Sequence, residues 1–277
     1  MTKPTRPIMR YHGGKFRLSD WIISHFPPHR VYVEPFGGAA SVLMQKFRSQ
    51  AEVYNDLDGD IVNVMRVLQD GVLRTQLTEL LTLTPYARTE FERAWEPCDD
   101  PVERARRTLI RAEMGFGSAG ATKGKTGFRI DTTRKSTVMD IWARIPEYIQ
   151  SFSQRLQGVL IENRPALQIL KTHDKPDTLF YVDPPYLPAT RQMGSACYRH
   201  EMTSDDHVEL LTALQKLKGS VIVSGYAHEL YESMLTGWHR FTKSTHAASY
   251  RGSAARTEVL WLSPNISAPG LFQALAA

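Results

Sequence analysis

Short apolar runs alternate along this chain with stretches whose apolar residues recur every three or four positions. The densest run, 179–182, is apolar and aromatic with no polar alternation, which predicts a strand buried on both faces of a sheet. It stops at Pro184-Pro185, where two amide hydrogens are missing and φ is fixed, so neither ladder nor helix continues. Similar runs predict strands at 31–33, 52–56, 159–161, 221–224 and 258–262. Helical spacing predicts helices at 18–26, 39–47, 61–68, 72–83, 102–114, 167–170, 207–217 and 228–235. The stretch 187–203 reads as a polar loop long enough to close over a pocket, and 241–256 as a basic, polar segment. Strands alternate with helices on both sides of a helix-like region. One α/β domain made of 1–69 and 159–277, interrupted once by an insertion at 70–158, is therefore expected.

Composition narrows the class without naming a function. The 277 residues, 42% hydrophobic and 23% charged, can bury a substantial core. No apolar run approaches the ~20 residues of a membrane-spanning helix. The N-terminus is basic but no apolar segment follows it, so a cytoplasmic location without a signal peptide is expected. The two cysteines, Cys98 and Cys197, lack metal-ligand spacing, and neither a metal site nor a disulfide framework is expected. The net charge of +5 permits nucleic-acid binding.

The chemistry gathers where the densest strand ends. Asp183, Pro184, Pro185 and Tyr186 follow it directly, and the carboxyl ends of strands are where ligands bind in open α/β sheets. A carboxylate, a proline carbonyl and an aromatic ring suit a planar ring bearing an amino group. The acceptors take its N–H, and the ring stacks on Tyr186. Upstream, the run 31–33 passes through Glu34-Pro35-Phe36-Gly37-Gly38 into a helix, a first βα unit of a nucleotide-binding fold. It is not the dinucleotide G-x-G-x-x-G, and its small residues leave room for an adenosine or amino-acid moiety, or serve only for packing. Asp56 lies roughly 20 residues further on, the spacing at which an acid can bind ribose hydroxyls, although capping the next helix is also open to it. Tyr11 to Lys15 places two glycines and a positive charge ahead of a helix.

The insertion is basic. Between 104 and 135 it carries Arg104, Arg106, Arg107, Arg111, Lys123, Lys125, Arg129, Arg134 and Lys135 against Glu113 and Asp131 alone. A glycine-rich basic hairpin or loop there fits phosphate contact and groove entry in DNA.

Asp183-Pro184-Pro185-Tyr186 resembles the catalytic motif of the amino-group DNA methyltransferases. With the motifs around it, nearly the whole chain is similar to the Dam-type (D12 class) adenine-N6 family, of the stand-alone, phage- or prophage-like kind. The resemblance implies a class I S-adenosylmethionine-dependent methyltransferase sheet, Rossmann-like, with a mostly helical target-recognition insertion. It implies S-adenosylmethionine as cofactor, no metal, double-stranded DNA as partner, and no obligate protein partner. It places Tyr11, Lys15, Asp56 and Asp183 on cofactor-contacting positions, beside Glu34, Pro35, Phe36, Gly37 and Gly38 of the glycine motif. Tyr11 stands where the family often has tryptophan. Residues 124–128 resemble the family's recognition hairpin, with Arg129 in place of the usual asparagine, which argues against carrying over GATC specificity. Lys123, Lys125, Arg129 and Tyr198 are the expected DNA contacts, and Met202 stands where an aromatic usually follows the tyrosine at 198.

Three other chemistries remain open at this stage. Cytosine-N4 methylation needs the same acceptors, although its enzymes more often carry serine before the prolines. Cytosine-C5 methylation needs a cysteine nucleophile, but Pro97-Cys98 sits in a Pro- and Asp-rich turn and leaves Asp183 without a role. A DNA-binding protein that keeps the cofactor pocket without turnover is the third. A stand-alone methylase protecting or marking DNA is the expected biological setting.

Overall fold

A computed structural model describes residues 3–122, 124–130, 137–190, 197–249 and 252–266. In chain order the elements are α1 (Ser19–Ile23), β1 (Val31–Glu34), α2 (Ser41–Gln45), β2 (Ala51–Asn55), α3 (Gly59–Gln69), α4 (Gly71–Leu83), α5 (Arg88–Arg93), α6 (Pro101–Met114), α7 (Val138–Ala143) and α8 (Ile145–Leu156). There follow β3 (Val159–Glu162), α9 (Ala166–His173), β4 (Thr178–Val182), α10 (Ser204–Leu214), β5 (Ser220–Tyr226), α11 (Glu229–Met234), β6 (His239–Ser249) and β7 (Gly252–Leu262).

The seven strands form one sheet in the order β3-β2-β1-β4-β5-β7-β6. The pairs from β3 through β5 are parallel, while β7 runs antiparallel to both β5 and β6. A mixed α/β sheet is what the resemblance to S-adenosylmethionine-dependent methyltransferases implies. Chain order reverses between β1 and β4, so the carboxyl ends of those strands flank the switch point where ligands bind in such sheets.

Each central strand serves two cores. Leu179 and Tyr181 of β4 pack with Tyr32, Tyr54, Ile222 and Leu260 under α2 and α3. Phe180 and Val182 pack with Val33, Val53, Val223 and Trp261 under α10 and α11. The unbroken apolar run follows from that two-sided burial.

The helical stretch between α3 and β3 extends the first core. Leu77, Leu81, Leu109, Trp142 and Phe152 share a cluster with Ile61, Met65 and Leu68 of α3. A buried triad ties it further to the sheet, because Glu52 of β2 accepts from Lys46 at 2.6 Å and from Arg155 of α8 at 2.6 and 2.8 Å. Such a triad holds only when every charge is paired.

Two expectations need correction. The segment 241–256 supplies most of a long hairpin, β6 with β7, in which Phe241 pairs with Leu260 and Lys243 with Glu258. Residues 242–245 are polar, and β6 is the sheet edge, so no apolar alternation marked it. The basic count on α6 also misleads. Arg104 and Arg111 pair with Asp60, and Arg106 and Arg107 with Glu103, Arg106 reaching Glu90 as well. These four arginines are engaged within the fold. Among the described residues no helix is long and apolar enough to cross a membrane.

Candidate active site

One pocket opens above the carboxyl ends of β1, β2 and β4. Tyr11, Lys15, Glu34, Phe36, Gly37, Gly38, Asp56, Asp183 and Pro185 line it, together with Tyr198 to Met202 from the loop after β4. Nine of the twelve residues expected at the catalytic and cofactor positions thus share one wall or another with Tyr198.

The glycine turn is shaped by close approach. A Cβ on Gly37 would lie 2.2 Å from the Tyr54 ring, and one on Gly38, at φ +47°, would lie 2.7 Å from the Tyr11 ring. Ala40, the residue before α2, is also left-handed, at φ +54°, a strained conformation for a residue with a side chain. Tyr54 locks the turn from below, donating its hydroxyl to the Gly38 carbonyl at 2.6 Å.

Three of the carboxylates that line the pocket stand at strand ends. Asp56, one residue past β2, accepts from the amides of Gly38 and Asp58, each at 2.8 Å, and burial pushes its carboxyl up to about 6. Glu34, at the end of β1, accepts from the Tyr32 hydroxyl at 2.6 Å and from the Leu43 amide at 2.7 Å, and burial raises it to about 7. Asp183 follows β4. Its Oδ1 accepts from Ser224 Oγ at 2.8 Å and lies 2.9 Å from Lys15 Nζ, whereas Oδ2 bonds to no described residue.

Three expected catalytic and cofactor residues fall outside the lining, and one expected DNA contact lies outside the described residues. Pro35 is buried, and its carbonyl accepts from Asn55 at 2.8 Å. Pro184 and Tyr186, on either side of Pro185 in the chain, are buried and take no part in the lining. The Tyr186 hydroxyl bonds to Glu258 of β7, and Lys15 Nζ sits 4.7 Å above its ring. Lys123 lies outside the described residues.

The expected DNA contacts separate. Backbone bonds from Phe116 to Gly127 at 2.6 Å and from Arg129 to Met114 at 2.7 Å close a hairpin, in which Lys125 is exposed in the loop and Arg129 half-buried at the foot. Tyr198 instead lies over the pocket. Its hydroxyl reaches the His12 carbonyl at 3.4 Å, and its ring meets His12 edge-on with centroids 5.4 Å apart. The next residue, Arg199, pairs with Asp58 at 2.7 Å and Asp60 at 2.9 Å, strapping this loop to the start of α3. Thr122 of the hairpin donates to the Cys197 carbonyl at 2.7 Å, so hairpin and strap are joined. Sequence reasoning missed Ser224, Glu258, Asp58 and Arg199. Each acts through a partner far away in the chain, and only the acid-rich run 56–60 offered a local hint.

The donor set fits S-adenosylmethionine. An acid at the tip of β2, a turn with no room for side chains, an aromatic ring at Tyr11 and the Ser41 hydroxyl, buried beside the pocket with no hydrogen-bond partner among the described residues, match a nucleoside with a polar tail. Among the described residues no group of His, Cys, Asp and Glu could hold a metal ion.

Comparison with known proteins gives the family. Residues 11–246 match the family model described as D12 class N6 adenine-specific DNA methyltransferase. The chain is similar to the DNA adenine methylase of Salmonella typhi, 23% identical over 261 residues that cover 91% of this chain and 90% of that one. It is also 26% identical over 249 residues to the type II methyltransferase M1.LlaDCHI of Lactococcus lactis subsp. cremoris, covering 82% of this chain and 84% of the relative. The DNA adenine methylase of Escherichia coli strain K12 is 23% identical over 202 residues, 71% of this chain and 70% of that one. The match excludes cytosine as the family's target and makes S-adenosylmethionine the methyl donor and DNA the substrate. This chain belongs to the D12 class of N6 adenine-specific DNA methyltransferases.

Proposed function

We propose that this chain methylates adenine at specific sites in double-stranded DNA, taking the base out of the helix into the space beside Asp183. The observation that carries the reading is the engagement of Asp183. Lys15 and Ser224 both hold Oδ1, which leaves Oδ2 to accept a proton-bearing nitrogen.

The adenine amine is a poor nucleophile because its lone pair is delocalised into the ring. Hydrogen bonds from it to Asp183 Oδ2 and to the Pro184 carbonyl favour a pyramidal nitrogen whose lone pair points away from the ring. The bound cofactor supplies an electrophilic methyl group on a sulfonium. Catalysis then rests on positioning and electrostatics, without a covalent nucleophile from the protein. An extruded base loses its stacking partners, and the Tyr186 region offers an aromatic replacement.

Asp56, Gly37, Gly38, Tyr11 and Ser41 are assigned to holding the cofactor. Tyr198 and Arg199 are assigned to closing over it. Residues 70–158 are assigned to target recognition, with Lys125 and Arg129 as DNA contacts on the hairpin. The relative named as a type II methyltransferase favours a protecting role for such a methylase.

The test is direct. Duplex DNA incubated with the protein and labelled S-adenosylmethionine is digested to nucleosides, and the label is expected in N6-methyldeoxyadenosine. Label in N4-methyldeoxycytidine, or no label with folded protein, overturns the proposal.

A further inference from the structure

Glu258 has no part in the reading above, yet it places a carboxyl group where the chain is only 3% exposed. It lies in β7, paired across the sheet with Tyr226 of β5 and Lys243 of β6, and its neighbours Val259 and Leu260 are fully buried. A carboxylate this deep persists only with partners, and an apolar residue of like volume would serve packing equally well.

Its partners are the catalytic motif itself. The Tyr186 hydroxyl donates to Glu258 Oε1, and Lys15 Nζ lies 3.7 Å from the same oxygen. That ammonium is also 2.9 Å from Asp183 Oδ1 and 4.7 Å above the Tyr186 ring. One buried cation is therefore shared between two carboxylates. Tyr186 is fixed twice, at its hydroxyl by Glu258 and on its ring face by Lys15, while Tyr226 packs edge-on at 4.6 Å between centroids. Burial raises the Glu258 carboxyl above its ordinary range, and Lys15 opposes that rise.

We infer that Glu258 is a positioning residue for methyl transfer, holding the Tyr186 ring and the Lys15 ammonium so that Asp183 Oδ2 stays available to the target amine. The inference rests on the assignment of Asp183 and Tyr186 to the extruded adenine. Without the carboxylate, Lys15 is left to Asp183 and the Gly13 carbonyl, and Tyr186 loses its anchor. The base is then seated poorly, although Asp56, Gly37, Gly38, Tyr11 and Ser41, which are assigned to the cofactor, are untouched.

The experiment uses the full chain and a duplex with 2-aminopurine at the methylated position, whose fluorescence rises when the base unstacks. Glu258→Met keeps the volume but removes the acceptor, whereas Glu258→Gln keeps an acceptor for the Tyr186 hydroxyl. In Glu258→Met, kcat is expected to fall on the order of 10–100-fold with KM for S-adenosylmethionine within about twofold of the parent. The 2-aminopurine signal should change with it, and Glu258→Gln should recover most of the lost kcat. A parental kcat and signal in Glu258→Met overturns the inference. So does equal impairment of both variants in step with a lowered melting temperature, since that marks a purely structural role. Should Glu258→Met not fold, Tyr186→Phe deletes the other end of the same bond. A changed signal at the parental melting temperature then supports the inference, and an unchanged one overturns it. Asp183→Asn serves as the control for the underlying reading. If it still turns over, the site assignment itself fails. If it is inactive while Glu258→Met is fully active, only the role of Glu258 fails.

Discussion

The amide of Gly38 donates to Oδ2 of Asp56 at 2.8 Å, so a single carboxylate joins the glycine turn to the tip of the neighbouring strand. Its other oxygen is held by the Asp58 amide, also at 2.8 Å. Each oxygen keeps a second lone pair, and a ribose hydroxyl pair is the partner proposed for them.

Burial raises this carboxyl to about 6, so it is ionised at pH 7.5 and takes up a proton as the pH falls through 6. Protonation turns an acceptor into a donor and weakens its bonds to both amides and to ribose. Cofactor affinity is therefore expected to decline between pH 7 and pH 5 in the parent. Asp56→Asn should bind more weakly, by on the order of 1–3 kcal/mol, with no inflection in that range. Calorimetric titration with S-adenosylmethionine across pH measures both, and unchanged affinity in Asp56→Asn would reduce Asp56 to a turn-holding residue.

Asp183 sits past the end of β4, half-buried, with its bonds made by side chains and not by the core. Asp183→Ala should lower kcat on the order of 10²-fold or more, because an acceptor aligned with the reacting amine is lost. The melting temperature should stay near the parent value. Near-parental turnover by the folded variant would remove Asp183 from the mechanism.

What the sequence disclosed and what it hid follow from the range of the interactions. The run 179–182, the two prolines after it and the glycines at 37 and 38 impose local geometry, so strand, corner and turn could be read directly. The partners of those residues could not. Ser224 and Glu258 reach Asp183 and Tyr186 from other strands, and only the sheet order brings them together. Charge counting failed on α6 partly for the same reason, since Asp60 and Glu90 lie well before it in the chain, and partly because Glu103, just ahead of the counted stretch, pairs with Arg106 and Arg107. Tyr198 was grouped with the DNA contacts on the family resemblance. Its position over His12 depends on a 186-residue separation that no spacing rule encodes.

Glu34 offers a test through stability. Its carboxyl is raised from 4.5 to about 7 by burial, while the unfolded chain leaves it at its ordinary value. The folded state thus binds the proton more tightly, and stability falls as pH rises from about 4.5 to 7. The full effect is about 3 kcal/mol from the size of that rise. Glu34→Gln is neutral throughout and can still accept from Tyr32 and Leu43. Between pH 5 and pH 8 the parent should lose more melting temperature than Glu34→Gln. Parallel curves would show that Glu34 does not titrate in this range.

Arg199 straps the loop at 197–202 to Asp58 and Asp60 while remaining half-exposed. An ion pair so placed contributes only about 0.2–1 kcal/mol, which is enough to change a rate without unfolding anything. Arg199→Ala should speed cofactor dissociation a few-fold, by that same ~0.2–1 kcal/mol, and leave the melting temperature nearly unchanged. Stopped-flow displacement of bound cofactor reads the rate directly. Asp60→Ala should be more harmful, because Arg104 and Arg111 of α6 lose their partner too.

The hairpin beyond α6 divides affinity from specificity. Phe128 is packed between Tyr86 and Phe91, with centroids at 5.3 and 5.6 Å, and the Arg88 guanidinium lies 4.9 Å above it. The backbone of Arg129 is pinned on both sides, its amide donating to Met114 at 2.7 Å and its carbonyl accepting from Tyr86 at 2.8 Å. Phe128 is therefore an anchor, and Arg129 leaves the hairpin from a fixed base, as a side chain that reads a base edge must. Lys125 is exposed among glycines and suits a phosphate. Lys125→Ala should weaken binding to all sequences alike and reduce the salt slope by roughly 1. Arg129→Ala should instead flatten the preference among sites and leave non-specific binding largely intact. Sequencing of DNA methylated by each variant separates the two roles, and an unchanged site profile in Arg129→Ala would show that another part of the chain reads the target.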